Sequence, residues 1–125
     1  MRAFVVVLAS AAAAASGCGG QPELKPADAS LGRAALLRGL EAWQAGLNSE
    51  ELKQGKPPVQ FNDADWRAGW RLVRFELAAG HDEVAVHVRF RAKLTLEGPD
   101  GKPKERAIVY RVQTGEIVTV KRADW

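Results

Sequence analysis

Apolar residues recur along this chain with two periods, and the switch between them near residue 70 divides it. Leu36, Leu40, Trp43 and Leu47 follow at steps of four, three and four, with Leu31, Ala35 and Leu37 widening the stripe. Arg33, Arg38, Glu41 and Gln44 fall largely off it. This spacing predicts an amphipathic helix over 29–47, capped by Asp28 or Ser30. Gly32, Gly39 and Gly46 each cost about 1 kcal/mol relative to Ala in a helix interior, so packing must stabilise it. Close approach of a sheet at Gly39 would explain one of them. From Trp70 the period is two. Trp70 to Leu77 predicts a strand with Val73, Phe75 and Leu77 on one face. In 84–96, Val84, Val86, Val88, Phe90, Ala92, Leu94 and Leu96 alternate with Ala85, His87, Arg89, Arg91, Lys93 and Thr95, which predicts one unbroken strand with a buried and a wet face. A strand of that length covers about 43 Å at 3.3 Å per residue and must twist and bend to stay paired.

The segments between are punctuated by turn chemistry. Asn48 with Glu51 predicts a capped short turn of helix over 49–54, stopped by Gly55, and Lys56-Pro57-Pro58 sends the chain out extended. Residues 59–61 predict a brief edge strand, and Asp63 and Asp65 cap turns leading into Trp66. Gly98-Pro99-Asp100-Gly101 turns the chain into a return strand over 105–113, and Thr114-Gly115 leads to a last strand over 116–121. The expected fold is α+β, with one long N-terminal helix packed on a curved antiparallel four-stranded meander. That element order over 29–121 resembles the cystatin-like fold and the smaller members of the nuclear-transport-factor-like superfamily. Asp65-Trp66-Arg67-Ala68-Gly69, ahead of the first long strand, is similar to what small lipoproteins of this build carry.

The chain opens on a different pattern. Arg2 precedes an uncharged run from Phe4 to Ala15, too short for a bilayer span, which needs roughly 20 apolar residues. Ala15-Ser16-Gly17-Cys18 resembles the lipobox of bacterial lipoproteins, with Ala15 where the family usually has Leu. The resemblance implies a leader over 1–17, removed in front of Cys18, and fatty acyl chains on the Cys18 sulfur. Gly19 follows rather than Asp, which by the family's sorting pattern favours, in a cell with two membranes, the outer one, facing the periplasm. Two or three acyl chains make a stable anchor, since each buried methylene contributes about 0.8 kcal/mol. The plain alternative is cleavage after Ala13-Ala14-Ala15, leaving a soluble exported protein. Residues 18–28, with Gly19, Gly20, Pro22 and Pro26, predict a flexible linker to a single domain over 29–125.

Cys18 is the only cysteine, so neither an intramolecular disulfide nor a thiolate metal site can form. The formal charge of +3 becomes +2 once Arg2 is removed with the leader, too small an excess to indicate nucleic acid. Candidate chemistry is sparse. His87, Arg89, Arg91 and Lys93 share the wet side of one strand and present a possible anion-binding face, for lipid headgroups, an anionic polymer or an acidic envelope protein. Asp63 and Asp65 with His81 form an acid-base set only if the fold brings them together, an enzyme would show a cavity bordered by one of these or by Tyr110, and turn capping is the simpler role of both aspartates. His81 and His87 have no metal-ligand spacing, and no cofactor motif is present. Trp43 belongs to the core, and Trp66 and Trp70 seal a sheet end. The expectation is a membrane-tethered, non-catalytic binding or structural module. A periplasmic carrier with a small apolar or anionic ligand between helix and sheet is the alternative, and a small enzyme ranks behind both.

Overall fold

The computed structural model describes residues 26–123. The leader, Cys18 and most of the linker lie outside the described residues. Asp28 caps the first helix, α1 (Ala29–Gln44), by accepting the Leu31 amide at 3.0 Å. The helix has 16 residues and is shorter than the long one the stripe predicts. The chain leaves it through Ala45 and through Gly46 at φ 82°, a left-handed conformation that glycine adopts without penalty. Leu47 therefore lies beyond the helix and is exposed. A 3₁₀ turn over Ser49–Gln54 follows, with Asn48 accepting the Glu50 amide. Capping by Asn48 is as expected, but the acceptor reaches Glu50 rather than pairing reciprocally with Glu51.

The strands are β1 (Val59–Asn62), β2 (Arg71–Leu77), β3 (Asp82–Val84), β4 (His87–Glu97), β5 (Pro103–Gln113) and β6 (Val118–Arg122), with a one-turn helix α2 (Ala64–Arg67) between β1 and β2. They form one six-stranded sheet in the order β1-β6-β5-β4-β2, with β3 continuing the β2 side of β4. The class is α+β as read, but the four-stranded antiparallel meander is corrected: the sheet is mixed, because β1 pairs parallel with β6. The brief edge strand was visible as a short apolar alternation. Its partner lies almost at the other end of the chain, and local pattern carries no such information.

Two further corrections concern register. The run 84–96 is not one strand, since Ala85 at φ 56° and Val86 form a two-residue hairpin that sets Val84 opposite His87. That loop shifts the phase by one, so Val84 lands with His87 on the outer face while Val88 points inward. In β2 a bulge between Leu72 and Arg74 turns Val73 outward, leaving it 44% exposed, and Leu72, Phe75 and Leu77 face the core. The Val73 carbonyl accepts the Gln44 side-chain amide at 2.9 Å, so α1 satisfies a group that the bulge leaves without a ladder partner.

The sheet curls around α1, which lies between its two edges. Arg33 donates to the Ala78 carbonyl at 2.9 Å just beyond β2, and Gly39 lies against the Phe61 ring of β1. Leu36, Leu40 and Trp43 of α1 interdigitate with Leu72, Phe90, Leu94, Tyr110, Val112 and Val120, each at most 2% exposed. Interior burial of this kind contributes about 1.5–3 kcal/mol per large apolar side chain. Gly39 is the close approach that the sequence pointed to: a methyl group there would overlap the Phe61 ring. Gly39→Ala is expected to lower stability by about 2–3 kcal/mol in urea unfolding, despite the better helix propensity of Ala.

Candidate functional site

Two groupings of polar side chains stand out, one inside the curl and one outside it. Inside, Asp63 is 3% exposed and caps α2 by accepting the amides of Asp65 at 2.9 Å and Trp66 at 3.4 Å. Its Oδ2 also accepts the Tyr110 hydroxyl at 2.7 Å and Arg122 Nε at 3.1 Å, while Arg122 Nη2 lies 2.9 Å from Oδ1. Asp65 is not a turn cap here. Its Oδ2 takes Arg122 Nη2 at 2.8 Å and lies 3.0 Å from Arg106 Nε, because α2 carries the side chain over β5 and β6. Burial and the neighbouring Asp63 carboxylate raise the Tyr110 pKa far above its ordinary value, so the phenol stays a donor. Burial alone would lower the Arg122 pKa, but the hydrogen bond to Asp65 and the fields of Asp63, Tyr110 and Asp65 outweigh it and raise it.

Tryptophans seal this cluster. Trp66 stacks on Trp43 at 5.3 Å with planes 6° apart and meets Phe61 edge-on. Trp43 Nε1 donates to the Trp70 carbonyl at 2.7 Å, and Trp66 Nε1 to that of Leu47 at 3.1 Å. Lys104 and Arg106 lie over the Trp70 ring at 5.2 and 5.5 Å. Both oxygens of Asp63 are committed to donors, so the arrangement is a clamp between α2 and the sheet. His81 takes no part in it: its imidazole lies 3.6 Å from Glu83 and 5.9 Å from the Phe90 ring. A depression of about 290 Å³ reaches Asp63 from outside, lined also by Lys53, Gln60 and Arg67, and Asp65, His81 and Tyr110 do not border it.

The outer face of the sheet is the candidate site. His87, Arg89, Arg91 and Lys93 all lie on it, but the structure divides them. Arg91 is paired with Asp82 at 3.4 Å, and Lys93 sits opposite Glu76. Arg89 has Asp82 opposite it on one side, its carboxylate turned to Arg91, and on the other lies directly opposite Arg111, which lies directly opposite Lys121, so three cations follow one another across three strands. Among the described residues, Nε of Arg89 and of Arg111 is buried without a hydrogen-bond partner. His87 adjoins this row; partial burial and then the fields of Arg111, Lys121 and Arg89 hold its pKa below the ordinary 6.5. Beside it, a groove of about 650 Å³ has Ala107 and Val109 as its floor and Arg91, Lys93 and Glu76 as its rim.

Arg111 and Lys121 were not singled out from the sequence. The alternation of Ile108, Tyr110 and Val112 placed Arg111 on a wet face, but only the strand register shows which cations become neighbours. Comparison with known proteins finds no matching family model, no matching curated protein and no matching solved structure. Among the described residues no group of His, Cys, Asp or Glu is placed to hold a metal ion, and no helix is long and apolar enough to cross a membrane.

The two groupings separate experimentally. Arg122→Met strands the buried Asp63 charge and is expected to cost about 3–5 kcal/mol in urea unfolding, whereas Tyr110→Phe removes one donor among several and costs about 1–2 kcal/mol. For His87 the sign follows from its lowered pKa: as pH falls below 6.5 the unfolded chain takes up this proton first. Its contribution to stability is complete above pH 6.5, declines as pH falls towards the native value, and levels off below that. An NMR titration is expected to place the His87 midpoint below 6.5 and to show it rising in Arg111→Ala, and His87→Asn removes this part of the decline.

Proposed function

We propose that this chain is a cell-envelope lipoprotein, anchored through acylated Cys18, whose domain is a non-catalytic binding or structural module. Its working surface is the outer sheet face, and its partner is an anionic component of the envelope. The observation that carries this reading is the row Arg89, Arg111 and Lys121 on a face that no helix covers among the described residues. Cations set directly opposite one another on adjacent strands repel, and a surface needed only for solubility gains more from alternating signs. The lipobox-like Ala15-Ser16-Gly17-Cys18 supplies the address, and Gly19 after the cysteine assigns the outer membrane, facing the periplasm.

The carrier reading has less support. A ligand between α1 and the sheet would displace Leu36, Leu40, Phe90 or Tyr110, each fully buried. The helix held in a curled sheet keeps the domain beside the cystatin-like group in this proposal, at the level of arrangement alone. The test is an intact mass of the chain extracted from membranes with detergent, together with what co-purifies. The expected mass is that of residues 18–125 plus two or three acyl chains, absent from Cys18→Ser. Recovery of the full unmodified chain, leader attached, overturns the anchor, and equal partner recovery with Arg89→Glu plus Arg111→Glu overturns the surface.

A further inference from the structure

We infer that the row Arg89, Arg111 and Lys121, with His87 beside it, binds the phosphate groups of anionic phospholipid headgroups in the membrane that holds the tether. This rests on the lipoprotein reading for which membrane the row meets and for the tether that holds its end near that membrane. Three observations converge on it.

The first is chemical. Neighbouring strands lie about 4.8 Å apart, so the three cations form a line whose spacing lets one phosphate bridge two of them. The nearest acid in the ladder, Asp82 opposite Arg89, directs its carboxylate to Arg91 at 3.4 Å. Among the described residues neither Arg111 nor Lys121 has an acid opposite it in its ladder or an ion pair, so their charge is left for an external anion.

The second is where the chain enters the domain. The Asp28 amide donates to Thr114 Oγ1 at 2.8 Å, and Gly32 lies against Val112, so the N-terminal connection meets the sheet at the end where β5 finishes and β4 begins. Arg111 and His87 are at that same end. From Cys18 to Asp28 the chain reaches at most about 36 Å when fully extended, and any slack brings the row closer to the surface. The third is contrast along the sheet. At the far end, Arg71 is paired with Glu97, and Arg106 with Asp65. Arg74 and Lys104 there lie opposite Thr95 and Leu96, so among the described ladders cations face one another only at the end where the chain enters, as a surface that meets anionic lipid requires.

The test uses the chain from residue 18 onward, which retains every described residue, carrying Cys18→Ser so that acylation plays no part. It is sedimented with phosphatidylcholine vesicles with and without about one-third phosphatidylglycerol. Binding is expected only to the anionic vesicles and is lost as salt rises. Arg89→Gln with Arg111→Gln is expected to weaken it about 30-fold, the conversion of about 1 kcal/mol for each cation near a charged surface. Should that pair fail to fold by circular dichroism, Lys121→Gln alone is expected to weaken it about 5-fold. Arg71→Gln with Lys104→Gln, at the far end, leaves binding unchanged. Equal loss from that far pair overturns the proposal in favour of net charge alone. Binding of inorganic phosphate that displaces the vesicles at low millimolar concentration overturns the headgroup as the source. Capture by a sulfated dextran without any vesicle binding overturns it in favour of a polysaccharide. A failure in any of these arms leaves the mass of the membrane-extracted chain untouched, so the anchor and the lipid-facing row stand or fall separately.

Discussion

The buried carboxylate of Asp63 ties the start of α2 to β5 and β6. β1 and β2 are consecutive strands on opposite edges of the sheet, four strand spacings or about 19 Å apart. The segment 63–70 must bridge them across the end of the curl. Asp63 fixes the start of that bridge by accepting two amides of α2, the Tyr110 hydroxyl and the Arg122 guanidinium. A charge without partners in that position would cost several kcal/mol, against a typical total stability of about 5–15 kcal/mol. The donors therefore decide whether the strap closes, and with it whether the sheet can keep its curl around α1. The tryptophans follow from the same constraint: Trp66 and Trp70 are carried on the strap and land against Trp43.

Closing the curl determines where the domain can act. α1 touches both edges, so the inner face of the sheet is consumed by packing, and of the sheet's side chains those that alternate with the core are left exposed. On β4 and β5 these are mostly charged. Their effect depends on pairing across strands rather than on sequence neighbours, since Arg91 is matched by Asp82 while Arg89 faces Arg111. Two residues apart on one strand, an arginine is neutralised in one case and reinforced in the other.

That dependence also explains what could be read from the chain. α1, the turn at Asn48, an edge strand at 59–61 that ends one residue later in the fold, the Asp63 cap and the alternation from Val88 onward are local, and the sequence predicted them. Three local signals misled because they keep their period while the backbone changes phase. A two-residue hairpin at Ala85 and Val86 preserves the apolar alternation but swaps its faces, the bulge at Val73 does the same in β2, and the helical stripe runs on to Leu47 past the end of α1. Parallel pairing of β1 with β6, and Asp65 joining Arg106 and Arg122, rest on contacts between distant segments. Of the outer face, the β4 members were legible from alternation, while Arg111 and Lys121 needed the register of two further ladders.

The uneven distribution of charge over that face has a physical consequence at the scale of the tether. In about 0.15 M salt the Debye length is about 8 Å, so a charged surface acts on the cations that come nearest and hardly on the rest. Under the proposed tether, the two ends of the domain feel that surface differently. With the proposed anchor at Cys18, the end carrying Arg89, Arg111, Lys121 and the chain entry at Asp28 is the one nearest the membrane, and it is also the end where cations face one another in the described ladders. In the proposed arrangement tether and field act in the same sense, and both favour an orientation in which β4 and β5 run away from the membrane. The groove over Ala107 and Val109 lies farther along those strands, with Arg91 and Lys93 matched by acids. In that orientation it stands clear of the headgroups, on a stretch of sheet where the lipid's charge is screened.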